Sequence, residues 1–288
     1  MHLEPRANKF LGVSDYYYAM NLIVAFQRFH LMSGKAPGSI LSMMVLASRS
    51  SIKAGRGRFV ELGAGNGDAA AVLLNLGWQG VLYELDYEAA KSLRVRFAEQ
   101  ILTNRLEVMH GNFLDNELDN ECVDLVFSSM VLEHLPEHEV NHVLAQSARV
   151  LKNQGYFVAF VPGSKRHWGI EDLVAGHFRR YSRRELNSLL LSANLRVSSI
   201  FGVTYPISNA LFGLSNFLVR RGESQKLAEN MKMRTESSGR RDVAWKTSYP
   251  TWSKLFLNPV TLSPFFLFQH WFRHHDDCLV LFLEAQKS

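Results

Sequence analysis

Three glycines at alternate positions, Gly63, Gly65 and Gly67, stand between the apolar run Phe59-Val60-Glu61-Leu62 and an alanine-rich segment beginning at Asp68. Glycine permits sharp turns and lets a ligand lie against bare peptide groups. A helix starting at Asp68 would present free N–H groups and a positive dipole end to a carboxylate or phosphate. Further on, Glu84 closes a second apolar run, Val81–Leu85. Its two oxygens can accept from both hydroxyls of a ribose. Asp86 suits the cap of the next helix and is the second choice for that ribose. The pattern Glu61-x-Gly-x-Gly-x-Gly is not the dinucleotide fingerprint Gly-x-Gly-x-x-Gly, because its third glycine comes one residue early. A nicotinamide nucleotide is therefore disfavoured.

A second set of residues can handle a proton. His134 lies in Leu132-Glu133-His134-Leu135, and His177 in Gly176-His177-Phe178-Arg179-Arg180-Tyr181-Ser182. An imidazole titrating near neutrality can take the proton of an acceptor hydroxyl. The plainer roles are fixing a helix entry for His134 and supporting a neighbour for His177. Arg179, Arg180 and Tyr181 offer donors to an anionic or sugar-phosphate acceptor, or form a solvated basic face. His134, His138 and His142 recur every four residues among Glu133, Glu137 and Glu139, but Pro136 interrupts the run. Such Glu–His helices are commonly solvent faces, so no metal site is expected. His270, His274, His275, Asp276 and Asp277 read as a polar loop before the last strand.

The elements that position these groups alternate strand and helix, which implies a parallel sheet covered on both faces. Strands are expected at Phe59–Leu62, Val81–Leu85, Leu106–His110, Val123–Ser128, Tyr156–Val161, Leu195–Phe201 and Cys278–Glu284. Helices are expected at Asp68–Leu76, at about Tyr87–Gln100, at Pro136–Leu151 and after the capping box Ser182-Arg183-Arg184-Glu185. Ahead of the sheet, Tyr17, Met20, Ile23, Val24 and Leu31 follow helical spacing, and a further helix is expected over Ile40–Ile52. Pro206–Arg221 reads as an amphipathic helix stopped by Gly222, and Glu223–Asp242 as a polar stretch. The resulting division is a helical cap (1–56), a core (57–203), an insertion (204–275) and a final core strand (276–288).

The chain has 288 residues, a formal net charge of +5 and two cysteines, Cys122 and Cys278, each expected inside a buried strand. That cysteine usage argues for a reducing, cytoplasmic setting rather than a disulfide scaffold. Met1–Pro5 does not open a basic run followed by an apolar run, so no signal peptide is expected, and Leu255–Phe272 is too interrupted for a transmembrane span.

Taken together, Val60–Gly67, Tyr83-Glu84-Leu85-Asp86, Gly111-Asn112-Phe113, Val123–Pro136 and Arg149–Gly155 make the chain resemble a class I S-adenosylmethionine-dependent methyltransferase. The likeness covers roughly residues 58–162. It implies an α/β, Rossmann-like, seven-stranded, mostly parallel sheet whose last strand is antiparallel, and S-adenosyl-L-methionine as cofactor. It implies that Glu61, Gly63, Ala64, Gly65 and Gly67 line the methionine half. Glu84 and Leu85 would take the ribose side, and Asn112 and Phe113 the adenine. The family usually has Asp where Asn112 stands; the amide oxygen can still accept from the adenine amine. Ser128 and Ser129 end the fourth strand, where cofactor and acceptor meet.

Aromatic residues crowd the insertion, from Trp245 to Phe272, with no alternation of Lys or Arg. This argues against nucleic acid and for an apolar or lipid-linked acceptor, a peripheral membrane contact or a homodimer face. The reading is a small-molecule methyltransferase, O-methylation slightly favoured. The alternatives are a methyltransferase of nucleic acid or protein and a non-catalytic cofactor-binding scaffold. His134 and His177 are the candidate catalytic residues.

Overall fold

A computed structural model describes residues 32–53, 57–228, 234 and 249–288. The expected helix over Tyr17–Leu31 lies outside them, as does most of Glu223–Asp242. The described chain opens with α1 (Pro37–Ser48) and α2 (Ser50–Lys53). Pro37 at the first turn suits a helix start. Ile40, Leu41, Met43, Val45, Leu46 and Ala47 of α1 are buried with one face of the sheet. The indole of Trp78 donates to the Ile52 carbonyl at 2.9 Å. Arg49 and Ser51 both reach the buried carboxylate of Glu284 on the last strand. These helices therefore belong to the packed core.

The sheet follows: β1 (Arg58–Leu62), α3 (Asp68–Asn75), β2 (Gln79–Glu84), α4 (Tyr87–Arg96), α5 (Ala98–Leu102), β3 (Leu106–His110), β4 (Val123–Ser129), α6 (Glu137–Val150), β5 (Leu151–Pro162), α7 (Ile170–Ala175), α8 (Arg183–Ser192) and β6 (Leu195–Gly202). Then come α9 (Ile207–Ala210), α10 (Phe212–Glu223), α11 (Pro259–Trp271) and β7 (Val280–Lys287). The seven strands lie in the order β3-β2-β1-β4-β5-β7-β6. Strands β1 to β5 pair in parallel, and β7 runs antiparallel to both β5 and β6. The chain thus has the Rossmann-like architecture expected. Strands β1, β2 and β4, and β5 from Gly155 onward, are buried at almost every position, as strands covered on both faces are. Parallel order puts their carboxyl ends along one edge, where the glycine turn, Glu84 and Ser129 converge.

Several details differ from the sequence expectation. The helix from Tyr87 breaks at Phe97, whose ring is buried against Gly67. Neither cysteine lies in a strand. Cys122 follows Glu121, whose φ of 53° marks a turn, and Cys278 is buried just ahead of β7. The stretch Pro206–Arg221 forms two helices, and Gly222 does not stop the second. The face it was read to present is largely exposed, with Leu211 and Leu214 outward and Val219 and Glu223 buried instead. Among the described residues no helix is long and apolar enough to cross a membrane.

Candidate active site

The three glycines of the turn all have left-handed backbones, with φ of 62°, 54° and 77° at Gly63, Gly65 and Gly67. Their surroundings separate them. A Cβ on Gly63 would meet Val131 Cγ2 at 2.7 Å, and one on Gly67 would meet Phe97 Cε2 at 2.6 Å and Leu93 Cδ2 at 2.7 Å. These two let the turn pack against the β4 loop and α4. A Cβ on Gly65 would meet nothing within 4 Å. Only Gly65 faces open space, where a ligand can lie against bare backbone. Ala64 beside it is buried.

Two carboxylates brace the turn. Glu84 accepts from Gly65 N at 2.8 Å and from Asp86 N at 3.0 Å, one bond on each oxygen. Each oxygen keeps a lone pair for a further donor. Asp86 caps α4 by accepting from Ala89 N at 2.8 Å, which leaves Glu84 the better placed for a ribose. Leu85 is 52% exposed at the edge of the cleft. Glu61 is buried, and its Oε2 has no hydrogen-bond partner. Burial, with the charges of Asp68 and Glu84, raises its pKa well above the usual carboxylate range. Asp68 itself is tied to Lys35 at 2.6 Å and Arg96 at 3.0 Å.

After β3, Gly111 leaves open space where a Cβ would stand. The Asn112 oxygen accepts from Leu114 N at 3.0 Å and so caps the short turn Phe113–Asp115. Phe113 is buried edge-on to Tyr83, with ring centroids 5.5 Å apart, so its packing partner is the sheet. At the end of β4, Ser128 Oγ is buried with no partner and Ser129 is half-buried. Met130 then takes a φ of 54° and bonds back to the Phe160 carbonyl at 2.9 Å.

Both histidines singled out by sequence meet beyond that turn. Their rings stand edge to face, centroids 4.7 Å apart. Two hydrogen bonds bring the second loop to the first, Phe178 N to Glu133 O at 2.7 Å and Tyr181 OH to Leu132 O at 2.9 Å, and Tyr181 N to Pro162 O at 2.9 Å ties it to the end of β5. Asp172, fully buried, accepts from His177 Nδ1 at 2.8 Å, from Arg180 Nε at 2.9 Å and from Gly169 N at 2.8 Å. Burial would raise its pKa, but the bonds from His177 and Arg180 outweigh that and hold it below the usual range. A carboxylate on Nδ1 fixes the tautomer that leaves His177 Nε2 as the acceptor. Nε2 lies 3.9 Å from Glu133 Oε1. Glu133 has no exposed surface, and neither of its oxygens is hydrogen-bonded. Burial pushes its pKa up to about 7, the nearby His177 opposing.

The reading of Arg179, Arg180 and Tyr181 as acceptor donors changes here, while the His138–His142 face stays the solvent face it was expected to be. Arg180 and Tyr181 are buried and committed inside the protein, so neither is open to an acceptor. Arg179 pairs with Glu137 at 3.6 Å. His138 and His142 lie on the exposed side of α6, apart from His134.

Residues 60–159 match the family model described as a methyltransferase domain. Over these residues the chain carries a methyltransferase domain. A probable S-adenosylmethionine-dependent methyltransferase of Mycolicibacterium smegmatis is 27% identical over 167 residues, 57% of this chain and 60% of that protein. The match thus spans about three fifths of the length of that relative. A presumed sarcosine dimethylglycine methyltransferase from Galdieria sulphuraria shares the fold at a TM-score of 0.55 and 17% identity, covering 87% of this chain and 86% of that one. The [4+2]-cyclase SpnF shares it at 0.54 and 15% identity, covering 95% and 94%.

The methyltransferase domain's cofactor is S-adenosylmethionine, and the residues fit it. The unpartnered Glu61 oxygen suits the ammonium of a methionine, the open side of Gly65 suits a close-lying chain, and Glu84 suits a ribose. Sequence reasoning missed Glu133 and Asp172. Glu133 was weighed only as part of a helical Glu–His face. Asp172 sits three residues past a glycine at a helix start, a capping pattern that says nothing of a histidine five residues on.

Proposed function

We propose that this chain moves a methyl group from S-adenosylmethionine to a small-molecule acceptor, with a hydroxyl favoured over nitrogen or carbon. The observation that carries the reading is His177, held by Asp172 so that its Nε2 is the proton acceptor at the carboxyl end of β4. In the transfer, the acceptor oxygen's electron pair forms the C–O bond while the C–S bond breaks onto sulfur, leaving S-adenosylhomocysteine. In the metal-free site the hydroxyl proton passes to an imidazole of the His134–His177 pair and then to solvent. Glu61, Gly63, Ala64, Gly65, Gly67, Glu84, Leu85, Asn112, Phe113, Ser128 and Ser129 form the cofactor side. Alignment and exclusion of water are the protein's other contributions.

Support for an apolar or lipid-linked acceptor comes from the segment 251–272, where Trp252, Leu255, Phe256 and Trp271 are each more than half exposed. The same surface suits a peripheral membrane contact or a second copy of the chain. The two free cysteines support a reducing, cytoplasmic setting.

Calorimetric titration with S-adenosylmethionine, S-adenosylhomocysteine and NADH tests the cofactor. Binding of the first two and not the third is expected. An acceptor panel of phenols, lipid-linked sugars, peptides and RNA, read as S-adenosylhomocysteine formed, then tests the chemistry. Turnover confined to peptide or RNA would overturn the acceptor class. Cofactor binding with no turnover on any acceptor would favour the non-catalytic scaffold.

A further inference from the structure

Among the described residues one group of histidine, cysteine and carboxylate side chains brings three ligand atoms within 4.8 Å of one another: Glu133, His134 and His177. We propose that these three side chains form a binding site for a divalent first-row transition ion, set beside the cofactor cleft on its acceptor side. The proposal rests on the reading of the β4 end as the acceptor side, and it departs from the sequence reading, which expected no metal.

Two independent observations carry it. The first is the donor set and its spacing. Glu133 Oε1 and His177 Nε2 are 3.9 Å apart, too far for a hydrogen bond. Two metal–ligand bonds of about 2.1 Å at a tetrahedral angle span roughly 3.4 Å, so the pair needs to close by only about half an ångström. His134 supplies a second imidazole, its ring beside that of His177. Two imidazoles and one carboxylate suit zinc or iron, whereas magnesium and calcium prefer oxygen alone.

The second observation is what surrounds those donors. The Glu133 carboxylate is wholly buried and accepts no hydrogen bond, with the His177 imidazole near it, an arrangement that a cation would relieve. His177 donates its other nitrogen to Asp172 at 2.8 Å, and Asp172 is itself held by Arg180 and Gly169 N. A carboxylate behind a histidine in this way fixes the ring and raises the basicity of the free nitrogen, the usual support of a metal-bound imidazole. Three protein ligands leave a position for an acceptor oxygen. An ion there would lower the pKa of a coordinated hydroxyl, whose proton would leave to water, with the imidazoles as ligands rather than bases.

The test uses the untagged protein, stripped with chelator, titrated with Co²⁺ and then challenged with Zn²⁺ or, in a separate sample, with Mg²⁺. The expected result is one equivalent of Co²⁺, with the intense visible absorption of a low-symmetry nitrogen–oxygen site, displaced by Zn²⁺ but not by Mg²⁺. Glu133→Gln and His177→Asn should each weaken binding at least tenfold, and His138→Asn should not change it. S-adenosylhomocysteine affinity, measured on the same samples, should stay within about twofold. Absence of a stoichiometric Co²⁺ site in the wild-type protein would overturn the proposal, as would binding indifferent to Glu133→Gln and His177→Asn. Loss of S-adenosylhomocysteine binding in the metal-free wild type would instead count against the methyltransferase reading.

Discussion

At the cofactor end of the cleft the ligand-facing groups are mostly backbone, gathered from two adjacent strand ends. Gly65 leaves bare peptide, and Glu84 pins that peptide from the neighbouring strand. At the acceptor end they are side chains brought together from separate segments: Glu133 and His134 after β4, Asp172 on α7, and His177 and Arg180 ahead of α8. The first arrangement can serve any acceptor, because it reads only the cofactor. The second sets charged and proton-carrying side chains among buried neighbours, where the proposed function puts the choice of acceptor. Mutations at the two ends should therefore fail differently, one in affinity and the other in stability and chemistry.

The largest expected effect is at the acceptor end. Asp172→Ala leaves Arg180 buried without its carboxylate, and removing one partner of a buried pair costs about 3–5 kcal/mol. Chemical denaturation should show that loss, while the surviving folded fraction binds S-adenosylhomocysteine normally. A loss below about 1 kcal/mol would mean that the network is not what holds the loop. Gly65→Val should weaken cofactor binding by about 100-fold, roughly 2.7 kcal/mol. Its left-handed backbone adds about 1–2 kcal/mol of strain, so stability is measured alongside. Unchanged affinity would place the cofactor elsewhere.

Glu84→Ala removes acceptors for both the ribose and the turn, and a charged hydrogen bond is worth about 1.5–3 kcal/mol. A loss of roughly tenfold or more in S-adenosylmethionine affinity is expected by calorimetry, and no change would transfer the ribose to Asp86. The smallest effect distinguishes the two ends by pH. Burial raises the folded pKa of Glu61 above that of the unfolded chain, near 4.3. Stability from this group is therefore complete below that value and is lost as pH rises toward the folded pKa. Glu61→Gln should melt at a higher temperature than wild type at pH 8, with the gap shrinking toward pH 4.5 and narrowing when S-adenosylmethionine is added. A gap independent of pH would show that the carboxyl does not titrate across this range.

The sheet was readable because apolar runs, glycine turns and caps act locally. Gly63, Gly65 and Gly67 each take the left-handed backbone that only a turn of this kind demands, and Ser182 and Glu185 close the capping box as read. What sequence could not separate was their purposes: two of the three glycines serve packing against Val131, Leu93 and Phe97. The acceptor side was half legible. His134 and His177 stand together as candidates, but their partnership depends on a loop stitched under β4 by long-range hydrogen bonds. Arg180 and Tyr181, polar in sequence, proved to be the stitching.

The antiparallel β7 lies between β5 and β6, so β6 touches the sheet only through it. During synthesis β6 leaves the ribosome long before the strand that will anchor it, with all of residues 203–279 still to come. Until then β6, with α8 packed on it, has no strand to pair with, and the β5 edge stays open. The nascent protein must carry a five-stranded half-domain with an orphaned strand, a state with exposed edges that invites mispairing. Completion of the fold is thus a late and single event, timed by translation of the segment that also bears the exposed aromatic residues.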